Sequence, residues 1–137
     1  MLKALLFAYT FTHMPISANP NASVAEVELD VYSGMPNPKW MLSEPQTRDL
    51  LGRLAALPRI SRSALPNPLG YRGFVVRVSD AGRQQVIQVG WGVVSVSSGA
   101  QTHYGEDANR ALERWLLDSG SVFLNSELTN LVQRELR

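Results

Sequence analysis

Residues 71–96, YRGFVVRVSDAGRQQVIQVGWGVVSV, carry the reading that decides the fold. Tyr71 to Val78 is dense in β-branched and aromatic residues, and so is Gln84 to Val96. Both read as strands. Between them Ser79-Asp80-Ala81-Gly82-Arg83 is a turn, with Gly82 suited to the left-handed position of a three-residue hairpin loop. Pairing Ser79 with Arg83 sets Val75 opposite Ile87, Gly73 opposite Val89 and Tyr71 opposite Trp91. On the other face Phe74, Val76 and Val78 then meet Gln88, Val86 and Gln84. Apolar residues fall on both faces, so the hairpin is expected at the centre of a sheet, with helices or loops over each side.

Before this hairpin, Val27, Leu29 and Val31 alternate with Glu26, Glu28, Asp30 and Tyr32. That period of two marks a strand with one buried face, and the three acids read as the solvated side of an edge strand. Ser33 to Pro38 is a turn cluster, after which Lys39-Trp40-Met41-Leu42 returns antiparallel. Ser43-Glu44-Pro45-Gln46 has the capping-box pattern, and Leu50, Leu51, Leu54 and Leu57 follow as a helical apolar stripe that Pro58 stops. Arg59 to Gly70 reads as a loop.

Beyond the hairpin, Ser97 to Gly105 reads as a polar loop. A second helix is expected from about Asp107, with Ala108, Ala111, Leu112, Trp115 and Leu116 on its apolar face and Gly120 as a left-handed terminator. Ser126 is expected to cap a third helix lined by Leu128, Leu131, Val132 and Leu136. The fold class is α+β: a small antiparallel sheet of three to five strands with about three helices packed against it, in the order β-(β)-α-β-β-α-α.

The 137 residues suit one domain, and 45% hydrophobic residues exclude wholesale disorder. With 13 basic against 12 acidic residues the net charge is +1, which argues against a nucleic-acid partner. The absence of cysteine excludes disulfides, thiol catalysis and iron–sulfur clusters. No apolar run reaches the roughly 20 residues of a membrane-spanning helix. Lys3, the apolar run Ala4 to Phe11, and Ile16-Ser17-Ala18 follow the charge–apolar–small order of a secretory signal. Residues 1–18 are therefore expected to be a signal peptide cleaved after Ala18. Residues 19–25 would then be a flexible lead-in and 26–137 a single secreted or periplasmic domain.

One feature recurs. Ser33-x-x-Pro36-Asn37-Pro38 is echoed thirty residues later by Ser63-x-x-Pro66-Asn67-Pro68, and an aromatic strand start follows each copy, Trp40 or Tyr71. Stiff loops on a rigid scaffold are where recognition concentrates. The favoured reading is a binding domain for a protein or carbohydrate ligand. Met35, Asn37, Leu65 and Asn67 are then contacts at the loop tips, Trp40 and Tyr71 flanking anchors, and Trp91 a flat contact face between two glycines. The catalytic alternative is a small extracellular hydrolase using His103 with Glu106 and Asp107 as acid–base partners. A third reading is an inhibitor of an extracellular enzyme, with a proline-stiffened loop entering the target. No residue set with metal-ligand spacing stands out, and no cofactor motif is present.

Overall fold

The computed structural model describes residues 22–61 and 65–137. The expected signal peptide lies outside the described residues. Seven antiparallel strands form one sheet in the order β2-β1-β4-β5-β6-β7-β3: β1 (Val24–Asp30), β2 (Lys39–Met41), β3 (Arg59–Ile60), β4 (Gly73–Asp80), β5 (Arg83–Gly90), β6 (Val93–Ser98) and β7 (Gln101–Glu106). Three helices follow the expected count: α1 (Glu44–Ala56), α2 (Ala111–Ser119) and α3 (Ser126–Glu135). A 3₁₀ turn, Ala108–Arg110, precedes α2. β1 begins two residues inside the segment read as lead-in.

The central hairpin closes more tightly than expected. Asp80 pairs with Arg83, leaving the two-residue loop Ala81-Gly82, with φ of 49° and 79°. Two positive φ values make the type I′ turn that matches strand twist, and Gly82 adopts its share without steric cost. The tighter loop shifts the register by one residue. Val76 now faces Ile87, and Phe74 faces Val89. One residue of slip moves a strand's apolar set to the other face. Here it unites Phe74, Val76 and Val78 with Ile87 and Val89 on one face and leaves Val75 and Val86 on the other, where a three-residue loop would have set Ile87 and Val89 against the opposite face of β4.

The apolar run expected to continue from Gln84 to Val96 breaks at Trp91-Gly92, a second two-residue turn with φ of 58° and 81° that pairs Gly90 with Val93. The polar segment after it is a strand rather than a loop: Ser98 pairs with Gln101 across Gly99-Ala100, which creates β7. The loop after Pro58 contributes the short β3, paired with β7. These three departures raise the strand count to seven.

β1 is not an edge strand, since β2 pairs on one side and β4 on the other. The hairpin is central, as expected, but helices cover only one of its faces, and the loop at 65–67 borders part of the other. Val27, Leu29, Phe74, Val76, Ile87, Val89 and Val94 line the helix-covered face at 1% exposure or less. Packed on it are α1, against β1, and α2, against β4 and β5. The opposite face carries Glu26, Lys39, Arg77, Gln84 and Gln88 and is open to solvent.

The caps set where the helices start. Ser43 and Gln46 form the capping box, with Gln46 N donating to Ser43 Oγ and Ser43 N donating to Gln46 Oε1. Asn125, not Ser126, caps α3 by accepting from Leu128 N at 2.8 Å. α2 starts four residues later than expected because Asn109 and Arg110 are left-handed, with φ of 57° and 55°. Gly120 ends α2 at φ −96°, so its role is steric: a Cβ there would lie 2.5 Å from the Trp40 ring.

Candidate functional site

The first Pro-Asn-Pro loop is tied down by its asparagine. Asn37 Oδ1 accepts from Val31 N at 3.1 Å and Tyr32 N at 2.8 Å. Its Nδ2 donates to Glu28 Oε2 at 2.9 Å and Asp30 Oδ1 at 3.4 Å. Period two places Glu28 and Asp30 on the open face of β1. Burial alone would push the Glu28 carboxyl up, but hydrogen bonds from Asn37 and Arg77 and the charges of Arg77 and Lys39 hold it below the usual range.

Asp30 Oδ1 also accepts from Arg72, from Nε at 3.0 Å and Nη2 at 2.8 Å, and Arg72 Nη2 donates to Tyr32 O at 2.6 Å. Arg72 stands two residues beyond Gly70, at the exit of the second Pro-Asn-Pro loop. The same Asp30 and Arg72 border a cleft of about 280 Å³ with Leu65, Pro66, Asn67, Val75 and Gln88. The first loop's asparagine and the arginine that follows the second loop thus meet at one carboxylate, beside the second loop. Asn67 is exposed and its side chain has no hydrogen bond to another described residue, and Met35 is 59% exposed.

The expected aromatic anchors are elsewhere. Trp40 and Tyr71 are each 3% exposed and belong to the core, so neither flanks a binding surface. Large aromatics supply more buried area than any other side chain in a small core. Trp40 Nε1 donates to Ser119 Oγ at 3.0 Å, and its ring stacks on Phe123. Trp91 is half-buried, 6.1 Å from the Tyr71 ring, with the Arg110 guanidinium 4.6 Å above its centroid. Arg110 thus covers one face of the ring.

His103, Glu106 and Asp107 are not brought together. His103 is on the helix-covered face of β7, opposite Val96. Glu106, three residues on, alternates to the other face. Asp107 is 3% exposed and committed to α2, with its carboxylate accepting from Leu112 N at 2.8 Å and Glu113 N at 3.2 Å. Burial, and after it the nearby Arg59 charge, push the His103 imidazole below its ordinary range. Burial likewise pushes the Asp107 carboxyl up, against the backbone donors that favour its charge. Among the described residues no group of three His, Asp or Glu is placed to hold a metal ion, and no helix is long and apolar enough to cross a membrane.

Sequence reasoning missed Glu113. Its side chain is fully buried and saturated: Arg110 Nε and Nη2 donate to it at 2.8 Å each, Tyr71 Oη at 2.6 Å and Gly92 N at 3.3 Å. Burial opposes the charge, but the Arg110 and Tyr71 hydrogen bonds and the Arg110 charge outweigh it and hold the carboxyl below the usual range. The signal was an acid between Leu112 and Leu116 on an apolar helix face, three residues after an arginine. A carboxylate whose lone pairs are all engaged pins structure and leaves nothing for a substrate.

No protein-family model, no curated protein and no solved structure matches this chain.

Proposed function

We propose that the protein is a small exported binding domain that takes a segment of a partner protein into the cleft beside its second Pro-Asn-Pro loop. The observation that carries this reading is the shared carboxylate. Asp30 holds Asn37 of the first loop and Arg72 behind the second through a single oxygen, Oδ1. The first loop, stiffened by proline and held this way, loses little entropy on binding, and Arg72 fixes the chain just after the second. The cleft offers apolar contacts from Leu65, Pro66 and Val75 and amide groups from Asn67 and Gln88, a mixture suited to an extended polypeptide. Asn37 supports the surface from behind, and Leu65 and Asn67 make the contacts. The hydrolase reading loses its support, because its three residues face different surroundings.

The experiment is site-directed photocrosslinking in the native compartment, with the reactive side chain at position 67, at position 65, or at the distant exposed Glu127. A defined protein adduct at 65 and 67, absent at 127 and reduced by Asn67→Ala in the position-65 protein, supports the reading. Identical adducts at all three positions, or none, overturn it. A carbohydrate adduct transfers the cleft to the other ligand class. Export is tested separately by mass spectrometry of protein from the native host: the expected N-terminus is Asn19, and an intact 1–18 segment contradicts it.

A further inference from the structure

The helix-side face of the sheet is not covered everywhere. Between the C-terminal half of α1 and strands β5 to β7 runs a groove of about 430 Å³, within the range of small-molecule sites. Leu51 and Leu54 of α1 and Leu57, which caps its C-terminus, form its wall and are only partly buried, and Val96 lines its floor. Arg59 and His103 stand at one end. The register explains their meeting: Arg59 pairs with Gly105, and His103 is two residues along the same strand on the same face. No ion pair among the described residues engages either side chain. The acid in the groove, Asp80, is on β4, three strands from β7, about 14 Å at the usual strand spacing. Its carboxylate already accepts from the Ser23 hydroxyl.

A partly exposed leucine wall ending at two basic side chains without a counter-ion is complementary to one chemistry. We propose that this groove binds a small amphiphilic carboxylate, with its aliphatic chain along Leu51, Leu54 and Leu57 and its carboxylate on Arg59 and His103. The planar guanidinium matches a carboxylate in a two-pronged geometry. A neutral His103 imidazole can still donate one N–H to the carboxylate, and the anion offsets the burial and the Arg59 charge that disfavour its protonated form. The tail supplies affinity by covering leucines now in water, and the head group sets direction by pointing away from Asp80.

The site lies on the face of the sheet opposite the Pro-Asn-Pro cleft, so it stands or falls independently of that surface. The test uses the full chain, with octanoate, octanol and octylamine as probes, followed by calorimetry and by NMR shifts of the His103 ring and the Leu51, Leu54 and Leu57 methyls. Octanoate is expected to bind about tenfold or more tightly than octanol, the usual advantage of a charged hydrogen-bonding pair. Arg59→Gln should remove that preference while leaving octanol binding in place. Ala55→Trp, at an exposed position of α1 on the groove rim, should abolish binding of both with the melting temperature unchanged. Octanoate binding that survives Ala55→Trp, octylamine binding as tight as octanoate, equal affinity for octanoate and octanol, or no binding at millimolar probe each overturn the proposal.

Discussion

Glu113 shows how one residue joins three elements. Its carboxylate ties α2 to Tyr71 ahead of β4 and to the Trp91-Gly92 turn. Its partner Arg110 reaches Glu135 O near the end of α3 at 2.7 Å. Left-handed φ at Asn109, Arg110 and Trp91 costs on the order of 1–2 kcal/mol each, and the network offsets it. Glu113→Gln, which keeps the shape and removes the charge, should destabilise by about 3 kcal/mol, the lower part of the range for breaking a buried pair. Tyr71→Phe should cost about 1–3 kcal/mol by leaving a buried carboxylate oxygen short of a donor. Denaturant melts measure both.

The sign of the pH dependence follows from the same group. Glu113 is held below its usual range when folded, so its contribution is present above the unfolded value near 4.5 and is lost as pH falls through the depressed folded value. Asp107 is pushed up and works the other way. The clean readout is therefore the stability difference between wild type and Glu113→Gln, which should shrink on acidification below about pH 4.5. At the alkaline end Tyr71 is strongly raised, by burial first and the Glu113 charge second. Above about pH 10 unfolded chains ionise this phenol while folded ones do not, so stability falls there. Tyr71→Phe should lack that part of the loss.

At the scale of elements, burial separates residues that share one helical stripe. Leu50 is fully buried and Leu54 only partly so, although both stand on the stripe that marks α1. Leu50→Ala should cost about 2–5 kcal/mol, and Leu54→Ala distinctly less, because its neighbourhood is the open groove. Trp115 is likewise only partly buried, with the Arg53 guanidinium 5.1 Å from its ring, and is not the core anchor its spacing suggested. Gly120→Ala should cost about 1–3 kcal/mol, since the Cβ must displace the Trp40 ring.

Local signals were legible and competing ones were not. The alternation in β1 and the Ser43–Gln46 box depend on a few adjacent residues, and both took the form they announce. Ala81-Gly82 and Trp91-Gly92 are the same turn chemically, but a long apolar run hides the second, and nothing local separates a two-residue from a three-residue closure at the first. β7, with its Thr, His and Tyr among polar residues, is made a strand by its pairing with β6 on one side and β3 on the other. The Pro-Asn-Pro echo pointed to two related loops, and Asp30 bonds the first and borders a cleft with the second. It did not separate the roles of the two asparagines, which depend on Glu28 and Asp30 in one case and on open solvent in the other.

For the whole molecule, one sheet presents two unlike surfaces. The open face carries the Asp30 cleft, and the covered face carries the groove ending at Arg59 and His103. Changes at sites this far apart without shared partners should add, so a variant that empties the groove should leave partner capture at Asn67 intact. Melting and capture of Asn37→Ala and Asn67→Ala, run side by side, separate scaffold from contact. Asn37→Ala removes the four side-chain hydrogen bonds that tie Asn37 to β1 and to the start of its loop and should cost about 2 kcal/mol, with a melting temperature lower by several degrees. Asn67→Ala should melt within about 0.5 kcal/mol of wild type and yet capture the partner at least several-fold less well. If Asn67→Ala captures the partner as well as wild type does, the cleft is not the binding surface.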